Sequence, residues 1–313
     1  MKVLFWGTPD FASPPLRALV GEGFEVVGVV TQPDRPRGRS RSTLVPSPVK
    51  EIALAEGLPV LQPDRPRGPE FVEALRALGA DISIVVAYGH ILPKDVIDLP
   101  PLGTLNIHAS LLPRWRGAAP IQAALLAGDR ETGVSIMRMV PALDAGPVLL
   151  QAPTPVADDE TAGELEMRLS ELGALVLVES LALVGLGEAQ ETAQDESRVT
   201  YAAKIEREHA RVDWSRPAEL VARTVRAFDP RPGAFSTLRG EDVKLFGVRI
   251  ALTDGAPSGA AGEVIAVGEE GMLVTCGEGV VRIHDVQPAG KRRLAAADWS
   301  RGRGVAVGDR LGG

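Results

Sequence analysis

The sequence predicts an α/β protein in two parts. A doubly wound, mostly parallel sheet is expected over residues 1–189 and a small antiparallel β-barrel over 207–313, with a linker at 190–206. Three observations carry this reading. Short apolar runs alternate with helix signals through the first half. Residues 188–200 are polar and hold no long apolar run. Beyond them come five short apolar runs separated by glycine-containing turns.

Residues 2–6 are the first strand, an apolar run with turn residues after it. Ser13-Pro14 reads as a helix start, because serine can cap and proline fits the first turn. Residues 24–30 are the second strand. Residues 69–78 read as a helix, with Gly79 where a left-handed C-terminal cap would sit. Residues 81–87, 104–107 and 134–139 follow as strands. Thr161 and Glu164 form a capping-box pair, after which Leu165, Leu169, Leu172 and Val176 repeat at helical spacing. Strands separated by helices require crossover connections. The sheet should therefore be Rossmann-like, largely parallel and covered on both faces. Ligands of such sheets bind at the carboxyl ends of the strands.

After the linker, residues 215–228 read as a helix. Runs at 234–238, 243–252, 262–267, 272–276 and 280–286 suggest an OB-like barrel. Gln-Pro-Asp-Arg-Pro-Arg-Gly occurs twice, at 32–38 and 62–68. The flanks differ, so the sequence favours reuse of turn chemistry over a structural repeat.

Apolar residues make up 45% of the chain and charged residues 24%, an ordinary soluble composition. Cys276 stands alone, which leaves no disulfide framework and no cysteine zinc site and fits a reducing compartment. The opening run is too short for a signal peptide, since Asp10 interrupts it. Residues 172–186 carry Glu179 and are too short to span a bilayer. A cytoplasmic monomer without a membrane partner is expected. The net charge of −7 argues against nucleic acid on its face. Residues 206–313, however, hold 16 Lys or Arg against 15 Asp or Glu, so the acidic excess lies wholly in the first part. Within that acidic part, Arg35, Arg37, Arg39 and Arg41 form a local basic cluster at every second residue.

Neither a G-x-G-x-x-G run nor a P-loop appears. The informative segment runs from Asn106 through His108, Ser110, Leu111, Leu112, Pro113, Trp115, Arg116 and Gly117 to Pro120. Strand alternation puts Asn106 and His108 on one face. Farther on comes Leu143-Asp144-Ala145-Gly146, again just past a strand. An amide, an imidazole and a carboxylate can thus converge at one rim of the sheet. Without further context, Asp144 is equally a turn former before Gly146, and His108 equally a hydrogen-bonded core histidine. Ser110 with His108 and Asp144 invites a hydrolase triad, but no G-x-S-x-G elbow surrounds the serine. His90, His209 and His284 are expected to be incidental, and four scattered histidines do not make a metal site.

The Asn-x-His-x-Ser-Leu-Leu-Pro run and the later Leu-Asp-x-Gly closely resemble the formyl-folate-dependent transferases. Within that family the chain is similar to the branch that formylates methionine carried on initiator tRNA. The residues that say so are Gly7-Thr8-Pro9-Asp10-Phe11-Ala12, Thr31-Gln32-Pro33-Asp34-Arg35-Pro36, Pro46-Ser47-Pro48-Val49-Lys50, Arg114–Gln122 and Gln287–Lys291. The resemblance covers nearly the whole chain. It departs at Arg231, where tryptophan is usual between the prolines, and at Val140-Pro141-Ala142, where glycine is more usual.

The resemblance implies 10-formyltetrahydrofolate as donor, no metal, and methionyl initiator tRNA as acceptor. It implies a catalytic trio of Asn106, His108 and Asp144. Ser110, Leu111, Leu112 and Pro113 would line the folate site, with the pterin near Tyr88, Gly89, Ile91 and Leu92. Arg35, Arg37, Arg39 and Arg41 would contact the tRNA, and the C-terminal barrel would add a backbone-directed surface. The chemistry agrees with those residue types. An amine attacking a formyl carbon generates a negative oxygen, which an amide donor and an imidazole suit. An imidazole can also take or return a proton. A carboxylate can hold the imidazole, or a water, in position. The trio alone leaves open another formyl-folate transferase or hydrolase with a small-molecule acceptor; the arginine cluster and the barrel favour a macromolecule.

Overall fold

A computed structural model describes residues 1–37, 43–252 and 259–313. The chain forms two compact units. One comprises Met1–Gly117, Glu131–Pro155 and Glu166–Tyr201; the other comprises Ala118–Arg130, Val156–Leu165 and Ala202–Gly313.

The elements run in order as follows. First come β1 (Lys2–Gly7), α1 (Ser13–Gly21), β2 (Glu25–Val30), the hairpin β3 (Arg35–Arg37) and β4 (Thr43–Val45), α2 (Pro48–Ala55), β5 (Val60–Leu61) and α3 (Pro69–Ala77). Then follow β6 (Ile82–Val86), α4 (Lys94–Ile97), β7 (Thr104–His108), β8 (Arg116–Gly117), α5 (Pro120–Ala127), β9 (Glu131–Arg138), β10 (Val148–Pro155), α6 (Ala162–Leu186) and β11 (Tyr201–Ala202). The last are α7 (Ala218–Ala227), β12 (Ala234–Leu238), β13 (Glu241–Ala251), β14 (Val264–Gly268), β15 (Gly271–Thr275), β16 (Val280–Pro288), β17 (Leu294–Ala295) and α8 (Ala296–Arg301).

The first unit is built on a seven-stranded sheet of order β10-β9-β7-β6-β1-β2-β5. The five strands from β7 to β5 are parallel, whereas β9 and β10 run antiparallel. β1 lies in the middle, and Val3, Leu4, Phe5 and Trp6 are all buried, the unbroken apolar run that a strand covered on both faces requires. On one face Leu75 of α3 and Val96 and Ile97 of α4 pack with Leu4, Trp6 and Val85. On the other lies α6. A Cβ on Gly173 would stand 2.9 Å from Ile107 Cγ2, so only glycine lets that helix approach β7 so closely. Strand order reverses between β1 and β6, the position where such sheets open a crevice. The Thr8 hydroxyl donates to the Tyr88 carbonyl across that point at 3.1 Å.

Several local expectations change. Ser13 is the first residue of α1 rather than its cap. A short turn at Asp10–Ala12 leads in, and the Ser13 hydroxyl is buried with no partner among the described residues. The Thr161–Glu164 capping box does form, with Thr161 N donating to Glu164 at 2.9 Å. The helix it starts is 25 residues long, long and apolar enough by composition to cross a membrane. Here its stripe of Leu165, Leu169, Leu177 and Leu181 is buried within the protein. The duplicated heptapeptide also acquires a spatial meaning. Its copies leave the neighbouring strands β2 and β5, and Gln62 of the second donates to the Gln32 carbonyl and Asp34 carboxylate of the first at 2.9 and 2.8 Å.

The second unit holds the antiparallel sheet, of order β12-β13-β16-β15-β14 with β17 added beside β16. All five expected runs are strands. Leu311 N donates to Gly262 O beside β14, and Gly312 N donates to Thr237 O on β12, both at 2.8 Å. The last residues therefore hydrogen-bond both edges of the sheet.

Candidate active site

His108 ends β7, and the residue is 5% exposed. Its Nε2 lies 2.9 Å from the Trp115 carbonyl oxygen. A carbonyl only accepts, so Nε2 carries a proton. The other ring nitrogen, Nδ1, faces Asp144 Oδ2 at 3.7 Å. Asn106 sits two residues earlier on the same face, half-buried. The alternation expected of β7 thus delivers amide and imidazole together.

Asp144 arrives by a different route from the one its position after a strand suggests. β9 runs antiparallel to β7, pairing His108 with Ser135 and Leu105 with Arg138. The chain leaving β9 therefore starts beside the far end of β7, where Met139 N donates to Thr104 O at 2.8 Å. Residues 139–147 form the hairpin loop between β9 and β10, closed by Arg138 N to Pro147 O at 2.9 Å. The loop curls back to set Asp144 against His108. Asp144 has φ 46°, a left-handed conformation unusual outside glycine and best tolerated by Asp and Asn. Gly146 is needed beside it: a Cβ there would stand 1.8 Å from the Arg138 carbonyl.

Two sets of hydrogen bonds fix this carboxylate and its backbone. Gly117 N donates to Asp144 Oδ2 at 2.7 Å. Gln194 Nε2 donates to the carbonyls of Asp144 and Gly146 at 2.8 and 2.7 Å. Gln194 Oε1 in turn accepts from Arg116 Nε and Nη2 at 3.0 and 2.9 Å. Arg116 is 3% exposed, and its charge is met by Glu196 at 2.8 Å. That pairing, chiefly through the hydrogen bond, holds the Glu196 carboxyl below the usual carboxylate range. Residues expected only as linker thus reach into this loop, and Thr200 adds its hydroxyl as acceptor for Trp115 N at 2.9 Å.

The loop after His108 is braced from beneath. Ser110 is fully buried, and its hydroxyl donates to the Arg114 carbonyl at 2.6 Å. Ser135 of β9 donates to the Ser110 carbonyl at 2.6 Å and accepts from Leu112 N at 3.0 Å. Gln151 of β10 donates to Ser135 Oγ and to the Leu112 carbonyl at 2.8 and 2.9 Å. Leu111 and Pro113 remain half-buried while Leu112 is buried. Nothing in the sequence singles out Ser135, Gln151, Gln194, Glu196 or Thr200, because lone polar residues carry no periodic signal.

The loop following β6 differs from residue to residue. Tyr88 packs edge-on against Trp6 at 5.2 Å between centroids, and Leu92 joins the same core. Burial pushes the Tyr88 phenol up to about 12. The Tyr88 carbonyl accepts from Gln32 Nε2 at 2.8 Å. Gly89 has φ 87° and passes close against the Gln32 side chain, while Ile91 is 91% exposed. Of the arginine cluster, Arg35 is exposed on β3 and hydrogen-bonds Gln32. Arg37 closes that strand; Arg39 and Arg41 lie outside the described residues. Among the described residues no group of three His, Cys, Asp or Glu could hold a metal ion.

A mostly parallel sheet carrying an amide–imidazole–carboxylate set, followed by an antiparallel domain, meets its family in sequence. Residues 1–181 match the formyl transferase family and residues 204–304 the formyl transferase C-terminal domain. The chain belongs to the formyl transferase family. Within it, the chain is 50% identical to a methionyl-tRNA formyltransferase of Methylococcus capsulatus, over all of both chains. It is 48% identical to that of Symbiobacterium thermophilum over 99% of this chain and 95% of the relative. Among solved structures, HypX from Aquifex aeolicus in complex with tetrahydrofolic acid superposes with TM-score 0.68 at 23% identity, covering 95% of this chain and 46% of that one. The sugar 3N-formyl transferase WlaRD superposes at 0.66 with 17% identity, covering 93% and 99%. Both likenesses concern the fold.

Proposed function

We propose that this protein moves the formyl group of 10-formyltetrahydrofolate to the free amino group of methionyl initiator tRNA, as a monomer in the cytoplasm. The observation that carries the reading is full-length identity of about half to enzymes named for that reaction, in a chain where His108 and Asp144 stand 3.7 Å apart beside Asn106.

The folate supplies an activated formyl carbon, and this chain's residues do the rest. Asn106 donates its amide to the oxygen that gains negative charge as the amine attacks. His108, with Nε2 already protonated toward Trp115, takes up at Nδ1 the proton the amine sheds and returns it to the folate nitrogen as the bond from that nitrogen to the formyl carbon breaks. Asp144 faces that ring with its carboxylate 3.7 Å from Nδ1. The folate lies against Ser110, Leu111, Leu112 and Pro113, and its pterin against the backbone of Tyr88, Gly89, Ile91 and Leu92. The exposed Ile91 fits that assignment, since a large apolar side chain standing in solvent offers surface to a flat heterocycle. Arg35, Arg37, Arg39 and Arg41 contact tRNA phosphates, and residues 207–313 add a second phosphate-directed surface. Residues 1–189 form the catalytic domain in this reading and 190–206 the connection.

The test is transfer of labelled formyl from 10-formyltetrahydrofolate to methionyl initiator tRNA, with uncharged tRNA and free methionine as controls. Label on the charged tRNA alone is expected. Release of formate, or formylation of a small amine in its place, overturns the acceptor assignment.

A further inference from the structure

We propose that Gln194 is a positioning residue for the formyl transfer, acting through Asp144; this rests on the function proposed above. The Gln194 carboxamide uses its whole hydrogen-bonding capacity. It donates both its hydrogens, to the Asp144 and Gly146 carbonyls, and accepts twice from Arg116. Its orientation has one solution, because carbonyls only accept and a guanidinium only donates. Gln194 therefore grips the Asp144 loop on either side of Ala145. Arg116 belongs to the loop that begins at His108, and Gly117, its neighbour, holds the Asp144 carboxylate. Backbone and side chain of Asp144 are thus tied to the same two residues, one tie running through Gln194.

This arrangement answers the left-handed backbone of Asp144, which persists only where surroundings over-determine it. The anchor below Gln194 is firm: Arg116 is buried, and Glu196 neutralises it from the same segment of chain. Removing the Gln194 donors would release the Asp144 and Gly146 carbonyls and leave the bond from Gly117 N to the carboxylate as the remaining tie to residues 116–117. Small shifts of a group that orients a proton-transferring imidazole are costly in rate.

Gln194→Glu separates the roles. It keeps an acceptor for Arg116, and so the packing, but replaces the nitrogen that carries both donors with one oxygen facing two carbonyls. Turnover on methionyl-tRNA is expected to fall about 10- to 100-fold, the scale of a small misplacement of a reacting group. KM for 10-formyltetrahydrofolate and for tRNA should stay within about twofold, because uniform binding is untouched. Made on top of Asp144→Asn, the same change should lower single-turnover rates by less than about threefold, since a group acting through Asp144 has little left to act on. An unchanged kcat overturns the proposal. So does a fall of equal size in both backgrounds, or one appearing as a higher KM, each of which marks a purely structural role. If instead the unmodified protein fails to formylate methionyl-tRNA, the functional reading fails, independently of Gln194.

Discussion

His108 Nδ1 and Asp144 Oδ2 stand 3.7 Å apart, beyond direct hydrogen-bond reach, although the same carboxylate oxygen accepts from Gly117 N at 2.7 Å. The carboxylate is thus fixed by backbone and presented to the imidazole as a charge. Asp144→Asn keeps an acceptor for Gly117 N and removes the charge. Turnover should fall about 100-fold or more, within the range attributed to positioned proton transfer, while the melting temperature stays near that of the parent. Single-turnover formyl transfer at saturating donor checks it; a rate within about threefold of the parent rejects Asp144 from the trio.

The loop that carries Asp144 should be intolerant of a single methyl group. A Cβ at Gly146 would fall 1.8 Å from the Arg138 carbonyl, and that backbone is pinned by Pro147. Gly146→Ala should destabilise the protein by about 1–3 kcal/mol and lower turnover with it. Urea unfolding measures the first effect and kcat the second. A fully active, equally stable variant would show that the loop yields easily.

These relationships also explain what could be read from the sequence. Asn106 and His108 were legible because a strand repeats every two residues, and a single element sets both side chains. Asp144 was legible only through its motif: β9 is antiparallel to β7, so position after a strand does not by itself bring it to His108. β10 went unread because Pro153 and Pro155 interrupt its run; a strand at the border of a sheet tolerates them. Gln194, Ser135 and Gln151 work through hydrogen bonds between distant parts of the chain, for which local spacing holds no signal.

Ser135 offers a test of the loop after His108. Its hydroxyl joins the Ser110 carbonyl, Leu112 N and Gln151. Ser135→Ala leaves those buried groups short of partners, at a cost of about 1–3 kcal/mol. If the loop bears the folate, KM for 10-formyltetrahydrofolate should rise several-fold more than KM for tRNA. Equal KM values in parent and variant would detach Ser110, Leu111, Leu112 and Pro113 from the folate.

The arginine cluster makes the opposite prediction. Replacing Arg39 and Arg41 by Ala should raise KM for methionyl-tRNA and leave that for folate unchanged. The slope of log affinity against log salt should flatten by about one for each phosphate left without its arginine. Filter binding across a salt series measures it. An unaltered slope would mean that these side chains do not meet phosphate.

Tyr88 predicts a stability signature at high pH. Its phenol is buried with no hydrogen-bond partner among the described residues, and burial lifts it from 10.0 to about 12. A folded-state value above the unfolded one means that the folded protein keeps its proton where the unfolded chain loses it. Stability from this group is complete below pH 10 and drains away as pH rises toward 12, a loss of about 2 kcal/mol by pH 12. Cys276, raised by burial from 9.0 to about 11, adds a loss beginning near pH 9 and complete by about pH 11. Tyr88→Phe removes the first contribution and relieves an unpaired hydroxyl. The variant should match or exceed the parent in stability at about pH 8 and lose less between about pH 10 and 12. Urea unfolding across that interval should show the two stability curves diverging; parallel curves would mean that the Tyr88 phenol ionises in the folded protein as readily as in the unfolded chain.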